Sequence, residues 1–188
     1  MTEIIYKYRT TENFKYFVDI ILNNRLYAAK YNTMNDPMEG QYLYKDGALD
    51  KTVLDLIYSQ KEHYKLCSLS KKSNNFLMWS HYANGHRGVA IGVRIDNTKY
   101  TVKEIDYVPD LTLIENFDDM TAINILSKKL SFWSYEEEIR AFTESGNYID
   151  VKVEELIIGT EMGDVEFGFI KKLVGKINPT IKIIRNTD

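Results

Sequence analysis

The stretch GVAIGVRIDNTKYTVKEIDY, residues 88–107, contains two segments with strand-like composition, separated by a polar turn. Residues 88–95 have the β-branched and apolar content that is typical of a buried strand. Residues 100–107 are predicted to form the antiparallel neighbour of that strand. Strands that follow one another in this way indicate a largely antiparallel sheet rather than a doubly wound one.

Further segments of the same kinds lie on both sides of this stretch. Apolar side chains at helical spacing predict five helices, within residues 14–22, 53–58, 75–84, 120–130 and 165–174. Additional strands are predicted at residues 4–9, 26–29, 64–70, 138–143, 148–153, 156–158 and 181–185. The sequence therefore predicts an α+β protein with a largely antiparallel sheet and several packed helices.

Length and composition limit the class of protein. The chain has 188 residues, of which 44% are hydrophobic, and contains no repeat or linker-like run, so one domain over residues 1–188 is expected. The net charge of −3 lacks the excess of basic residues that duplex nucleic-acid binding by charge requires. No segment resembles a signal peptide or a membrane span, so we expect a cytoplasmic protein without a membrane partner.

The content of cysteine and histidine excludes two kinds of site. One cysteine, Cys67, cannot form an internal disulfide, and one cysteine with three histidines cannot form a standard four-ligand zinc site. His81 and His86 are five residues apart, which does not fit the spacing of a zinc-protease pair. Nothing near Cys67 marks it as an activated nucleophile. No metal is therefore expected.

Two runs combine aromatic rings with acid and base groups, MWSHYANGH at residues 78–86 and WSYEEEIR at residues 133–140. Buried carboxylates and imidazoles lose solvation unless they are paired or used, so such mixtures are candidate sites. Trp79 and Tyr82 are either core anchors or one side of an aromatic wall. His81 is either a substrate contact or an ordinary, partly buried histidine.

In the second run, extended geometry would place Glu136, Glu138 and Arg140 on one face of a strand. Two neighbouring carboxylates raise each other's proton affinity while an arginine lowers it, so the trio could hold one ionised carboxylate in a fixed place. A solvated, salt-bridged segment is the alternative. Trp133 and Tyr135 favour a site.

A third candidate is the segment NDPME, residues 35–39, which is predicted to be a loop because it contains proline and is followed by glycine. Asparagine and aspartate stabilise turns through nearby backbone groups, which explains this composition without a ligand. The alternative is that Asn35, Asp36 and Glu39 contribute to a binding site.

Most of the chain resembles the domain-of-unknown-function family 2971, whose members occur in bacteria and their phages. The resemblance is carried by YKYR at residues 6–9, NDPME at 35–39, CSLS at 67–70, MWSHYA at 78–83 with His86 and Gly88, and WSYEEEIR at 133–140. It implies kinship but no particular chemistry.

The order of motifs is also similar to the arginine-serine-glutamate layout of ADP-ribosyltransferases, which implies that family's fold and NAD as co-substrate. Under this resemblance Arg9 would hold the NAD phosphates and Ser68 or Ser70 would support the nicotinamide pocket. Glu138 would bond the nicotinamide ribose and stabilise an oxocarbenium-like transition state, and Glu136 would contact or activate a protein or nucleic-acid acceptor. The other candidate binding residues are Tyr8, Asn35, Asp36, Glu39, Trp79, His81, Tyr82, Trp133, Tyr135 and Arg140.

Two other functions remain open at this point. A metal-dependent nuclease or phosphoesterase could use Asp36, Glu39, Glu136 and Glu138 around a divalent ion. A non-catalytic sensor or inhibitor could bind a nucleotide or a protein in an aromatic pocket. NAD-dependent transfer would suit a role in conflict between phage and host, and a sensor or inhibitor would suit a small phage-type protein.

Overall fold

A computed structural model of the chain describes residues 3–47, 49–114 and 121–186. The strands are β1 (Ile5–Arg9), β2 (Arg25–Tyr27), β3 (Leu43–Tyr44), β4 (Lys65–Ser70), β5 (Val89–Ile95), β6 (Thr101–Glu104), β7 (Asp106–Val108), β8 (Leu113–Ile114), β9 (Lys128–Leu130), β10 (Glu138–Thr143), β11 (Tyr148–Ile158) and β12 (Lys182–Arg185). The α-helices are α1 (Phe14–Asn23), α2 (Lys51–His63), α3 (Phe76–Tyr82), α4 (Ala122–Ile125) and α5 (Asp164–Ile177), and 3-10 helices span Tyr31–Thr33 and Ser131–Glu136.

Within the described residues, eight strands form the central sheet. Seven follow the order β12-β11-β5-β1-β4-β10-β6, and β2 pairs with part of β11. Every ladder of this sheet is antiparallel except the one between β11 and β12. Two small two-stranded sheets, β3 with β8 and β7 with β9, lie outside it. The predicted α+β class with a largely antiparallel sheet is confirmed.

The main core lies on one face of the sheet. Val89, Ile91 and Val93 of β5 alternate toward this core, which also contains Phe17 of α1 and Ile170 of α5. The apolar stripes of the two helices thereby cover the sheet, as helical spacing predicts. Ala90 of β5 belongs instead to a second cluster, on the opposite face.

The predicted pairing of residues 88–95 with residues 100–107 is wrong. β5 lies between β1 and β11, whereas β6 pairs with β10 at the edge of the sheet. Six of the seven residues of β5 are buried, and such a strand needs neighbours on both edges and packing on both faces. Residues 101–104 of β6 are largely exposed, which suits an edge position.

Other differences concern the lengths of elements. Residues 148–158 form one strand with a bulge between Val153 and Glu155, where two strands were predicted. The helix predicted within residues 120–130 is the single short helix α4, and the chain becomes extended again in β9. Met120, counted in that helix, lies outside the described residues. In the described parts of the chain, no helix has both the length and the apolar character needed to cross a membrane.

Candidate functional site

The sheet opens between β1 and β4. β1 pairs with β5 along its whole length, but its ladder with β4 contains the single pair Tyr6 and Ser70. A cavity of about 120 Å³ lies beside this opening, and Lys7 Nζ donates a hydrogen bond to the Ser68 carbonyl oxygen, 2.8 Å away. The cavity is lined by Tyr6, Lys7, Tyr8, Met34, Asn35, Glu39, Ser68, Leu69, Met78, Tyr82, Lys129, Glu136, Glu138 and Arg140.

Strand register explains why side chains from distant parts of the sequence meet here. Ser70 is paired with Tyr6 on one side and with Glu138 on the other, and Ser68 is paired with Arg140. Directly paired residues point to the same face of a sheet, and so do residues two apart along a strand. Polar side chains of β4 and β10 therefore share one face with the tyrosines of β1.

Arg140 is the centre of the charged cluster and has no exposed side-chain surface. Its guanidinium binds both carboxylate oxygens of Glu39, at 2.5 and 2.6 Å, and both of Glu138, at 2.6 and 3.2 Å. It also donates to the carbonyl oxygen of Leu126 at 2.6 Å. Burial lowers the pKa of Arg140, but the two carboxylates outweigh this and raise it. The guanidinium thus anchors the 35–39 loop to β10.

Lys129 connects the two acidic residues of the second run. Its ammonium donates to Glu136 Oε2 at 2.5 Å and to Glu138 Oε2 at 3.1 Å. Burial raises the pKa of Glu138, yet Arg140 and Lys129 outweigh it and lower that pKa to about 2. Glu138 is therefore an ionised carboxylate that is held in one place.

The shared face of Glu136, Glu138 and Arg140 was argued from extended geometry, but Glu136 ends the 3-10 helix Ser131–Glu136. Glu137 follows with a φ of 43° in the left-handed region, and this turn places Glu136 beside Glu138 and Lys129. The hydroxyl of Tyr82, at the end of α3, donates to Glu136 Oε1 at 2.5 Å and accepts from Asn35 Nδ2 at 3.0 Å. Burial and the Glu136 carboxylate raise the pKa of Tyr82.

The aromatic wall of the cavity is held by hydrogen bonds and ring contacts. Tyr8 donates its hydroxyl hydrogen to the Lys72 carbonyl, and burial raises the pKa of Tyr8 to about 12. Trp79 packs behind Tyr8 with an edge-on ring contact at 5.2 Å and donates to the Ser73 carbonyl. Trp79 is thus a core anchor that supports the wall without lining the cavity.

Arg9, Asp36 and Ser70 do not line the cavity. Arg9 is paired with Val89 and points to the main-core face, where its guanidinium lies 5.3 Å from the centre of the Tyr16 ring. Asp36 is buried and accepts a hydrogen bond from the Met38 amide, as a turn-forming aspartate does. Ser70 donates to the Glu136 carbonyl and so fixes the turn that presents Glu136.

Three more of the predicted residues lie beside the cavity wall. His81 is exposed, and its ring centre is 6.1 Å from that of Tyr135, which in turn is 6.1 Å from Trp133. Lys129 Nζ is 4.7 Å from the centre of the Trp133 ring. The predicted residues that do line the cavity are Tyr8, Asn35, Glu39, Ser68, Tyr82, Glu136, Glu138 and Arg140.

Sequence reasoning missed six lining residues. Lys129 follows another lysine in a segment that was predicted to be helical, so nothing local marked it as buried. Lys7 was overlooked in favour of Arg9, two residues later on the same strand. The motif YKYR offered the signal for Lys7 and Tyr6, because it contains a cation between rings. The others are Met34, Leu69 and Met78.

The cavity offers both charges and one hydroxyl without a partner. The lining includes three carboxylates and three cations, Lys7, Lys129 and Arg140, so its formal charges sum to zero. Ser68 Oγ lies near Glu138 and helps to lower its pKa, but is shielded from solvent and has no partner in hydrogen-bond geometry among the described residues. The unpaired hydroxyl suits a polar ligand, and the mixed charges of the lining suit a ligand that carries both positive and negative charge.

Fold and cavity define an α+β protein with a small, charged, aromatic-lined pocket. The model of the family described as "Protein of unknown function (DUF2971)" matches residues 78–141. The resemblance to this family, predicted from the motifs, is confirmed over that stretch, which contains both the tryptophan-histidine run and the acidic run. No curated protein and no solved structure shows a significant match to the chain.

Proposed function

We propose that the cavity binds the nicotinamide-ribose end of NAD and that the protein transfers ADP-ribose to an acceptor. The observation that supports this most is the adjacency of β1, β4 and β10, which carry the arginine, serine and glutamate motifs, around a cavity containing Ser68 and Glu138. About 150 Å³ suffices for one six-membered ring in a protein cavity. A cavity of about 120 Å³ is close to that size, so it suits one ring of the dinucleotide.

Charge favours the nicotinamide ring as the enclosed part. The ring is cationic in NAD, and the tyrosines of the wall present aromatic faces and edges together with the carboxylates. Ser68 Oγ would pair with the carboxamide. A preorganised environment that excludes water strengthens these interactions, because the side chains of the cavity do not have to reorganise when the ligand binds.

In the proposed reaction the bond between the nicotinamide nitrogen and ribose C1′ breaks, and nicotinamide leaves with the bonding electron pair. Positive charge develops on the ribose, where the ionised Glu138 stabilises it. The acceptor then forms a bond to C1′ and gives its proton to Glu136, whose carboxylate is held by Tyr82 and Lys129. Electrostatic stabilisation of this kind contributes a factor of about 10²–10³ per group.

The diphosphate contact is assigned to Lys7 instead of Arg9. Lys7 lines the cavity, and its ammonium uses one hydrogen for the Ser68 carbonyl, which leaves two donors. Arg9, two residues further along β1, is on the same face of the strand as Lys7 but lies outside the cavity lining, with its guanidinium against Tyr16 of α1. The resemblance to ADP-ribosyltransferases thus applies to the serine and glutamate positions more directly than to the arginine.

The test is release of nicotinamide from NAD by purified protein, with and without cell extract as a source of acceptor. We expect release to fall by about 100-fold or more in Glu138→Gln and in Glu136→Gln, while Glu104→Gln, at an exposed carboxylate of β6, keeps wild-type activity. Melting curves identify any variant that fails to fold. NAD binding without turnover would favour the sensor or inhibitor, and the absence of both binding and turnover would refute the proposal.

A divalent-metal nuclease is less well supported by this geometry. Both carboxylate oxygens of Glu39 and of Glu138 are bound by Arg140, and Lys129 also binds Glu138. Hard cations need carboxylate oxygens that are free to coordinate them. In the described residues, no group of three or more His, Cys, Asp or Glu side chains is arranged to hold a metal ion.

A further inference from the structure

A continuous row of rings runs along the outside of the charged cluster. Consecutive ring centres are 5.7 Å apart for Phe132 and Trp133, 6.1 Å for Trp133 and Tyr135, 6.1 Å for Tyr135 and His81, and 6.4 Å for His81 and Tyr82. We call these five residues the aromatic rim. Phe132 and His81 are exposed, Phe132 by 65%, and the other three are half-buried.

The rim is continuous with the cavity at two points. Tyr82 belongs to both, because its ring is part of the rim and its hydroxyl bonds Glu136 inside the cavity. Trp133 meets the cavity through Lys129, whose ammonium lies 4.7 Å from the indole ring centre. A ligand that occupies the cavity therefore has aromatic surface immediately beside it.

The size of the cavity requires a second contact for any large ligand. Pockets that enclose drug-sized molecules measure roughly 300–1,000 Å³. The cavity here measures about 120 Å³, so most of a dinucleotide must lie outside it. The rim suits the adenine base that would lie outside the cavity, because aromatic side chains stack on nucleobases without needing charge.

From this we infer that the rim is the adenine subsite of the ligand whose nicotinamide end occupies the cavity, an inference that rests on the proposed function. The adenine ring would stack on Trp133 and Phe132, with His81 available to hydrogen-bond its polar edge. Trp133 Nε1 is shielded from solvent and has no partner among the described residues, so a small shift of the indole would give it a ligand acceptor. An unpaired donor of this kind is unfavourable unless something satisfies it.

The test compares ligands that contain and lack adenine. Binding of NAD and of nicotinamide mononucleotide is measured by calorimetry for the wild type, Phe132→Ala, His81→Ala and Trp133→Leu. We expect the wild type to bind NAD at least about tenfold more tightly than the mononucleotide, and the rim variants to lose most of that advantage while binding the mononucleotide as the wild type does. Phe132 and His81 are exposed, so their variants should fold normally, and Phe76→Ala provides a control at another exposed ring.

Each outcome separates the subsite from the function. If the wild type binds both ligands equally, or if NAD binds the rim variants as tightly as the wild type, the rim is not the adenine subsite and the proposed function stands. If neither ligand binds the wild type, both are refuted. A loss of affinity for both ligands in the exposed-ring variants would place the nicotinamide end on the rim and also overturn the inference.

Discussion

At the scale of single residues, Arg140 decides the structure of the site. It lies on β10 two residues after Glu138, so the two side chains share one face of the strand. It also binds Glu39, which is 101 residues earlier in the sequence. A buried charge is expensive unless it is paired and hydrogen-bonded. The guanidinium meets that condition with both oxygens of each carboxylate and a backbone carbonyl.

Removing this guanidinium is expected to be costly. Arg140→Ala leaves Glu39 and Glu138 buried with only Lys129 nearby, and breaking a buried pair in this way costs about 3–5 kcal/mol. Urea unfolding measures the change in the free energy of unfolding. Lys152→Ala, which breaks the exposed pair with Glu154, should cost less than about 1 kcal/mol. Equal losses in the two variants would contradict a central role for Arg140.

The lowered pKa of Glu138 predicts a dependence of stability on pH. Because its pKa is about 2 in the folded protein, compared with an ordinary 4.5, the folded state binds fewer protons than the unfolded state between these values. The free energy of unfolding should therefore decrease as the pH falls from about 5 toward 2.

Urea titrations at several pH values test this dependence. The decrease should be smaller in Glu138→Gln than in the wild type, because the variant has no proton to gain at this position. Glu104→Gln, in which Glu138 is intact, should behave like the wild type. Parallel curves for Glu138→Gln and the wild type would contradict a fixed, ionised Glu138.

The sequence predicted part of this residue-scale picture. The spacing of Glu136, Glu138 and Arg140 suggested a shared face, and the structure does bring them together, but Glu136 arrives through a left-handed turn at Glu137. Lys129 could not be recognised, because a lysine carries no local signal of burial when its partners are distant in sequence.

At the scale of elements, the structure depends on close backbone contacts at one edge of the site. A Cβ at Gly159, just after β11, would lie 2.0 Å from the carbonyl oxygen of His86, and one at Gly88 would lie 2.3 Å from that of Arg9. Glycine is therefore required where the loop after α3 meets β1 and β11. This contact positions α3, which carries Tyr82.

Two glycine substitutions should have opposite effects on stability. Gly159→Ala is expected to lower the free energy of unfolding by about 2 kcal/mol or more, because backbone atoms cannot move aside easily. Gly168→Ala, inside α5 with open space around it, should raise stability by about 0.5–1 kcal/mol through helix propensity. Thermal melting measures both, and a neutral Gly159→Ala would contradict the close contact.

Prediction of helices and strands succeeded where periodicity and composition were strong, and prediction of strand neighbours failed. The stripes of α1 and α5 and the strands β1, β4 and β10 follow from periodicity and composition. The pairing of β5 with β11, and of β6 with β10, depends on which strands need burial on both faces, which adjacency in sequence does not reveal. β3, β8 and β9 have two or three residues each, too few for a periodic signal.

At the scale of the whole molecule, the site exists because the sheet opens between β1 and β4. The cavity at this opening receives side chains from β1, the 35–39 loop, β4, α3, β9 and β10. The stretch matched by the family model, residues 78–141, supplies Tyr82, Lys129, Glu136, Glu138 and Arg140. The resemblance thus covers much of the charged cluster, and β1 and β4 complete the cavity.

The most direct test of the account is a crystal structure of the protein grown with NAD or ADP-ribose plus nicotinamide. We predict density for a planar ring between Tyr8 and Tyr82, with its carboxamide at Ser68 Oγ and the ribose at Glu138. Crystals that contain the ligand at another place, or that leave this cavity filled by its own side chains at saturating ligand, would contradict the claim that the opening between β1 and β4 is the binding site.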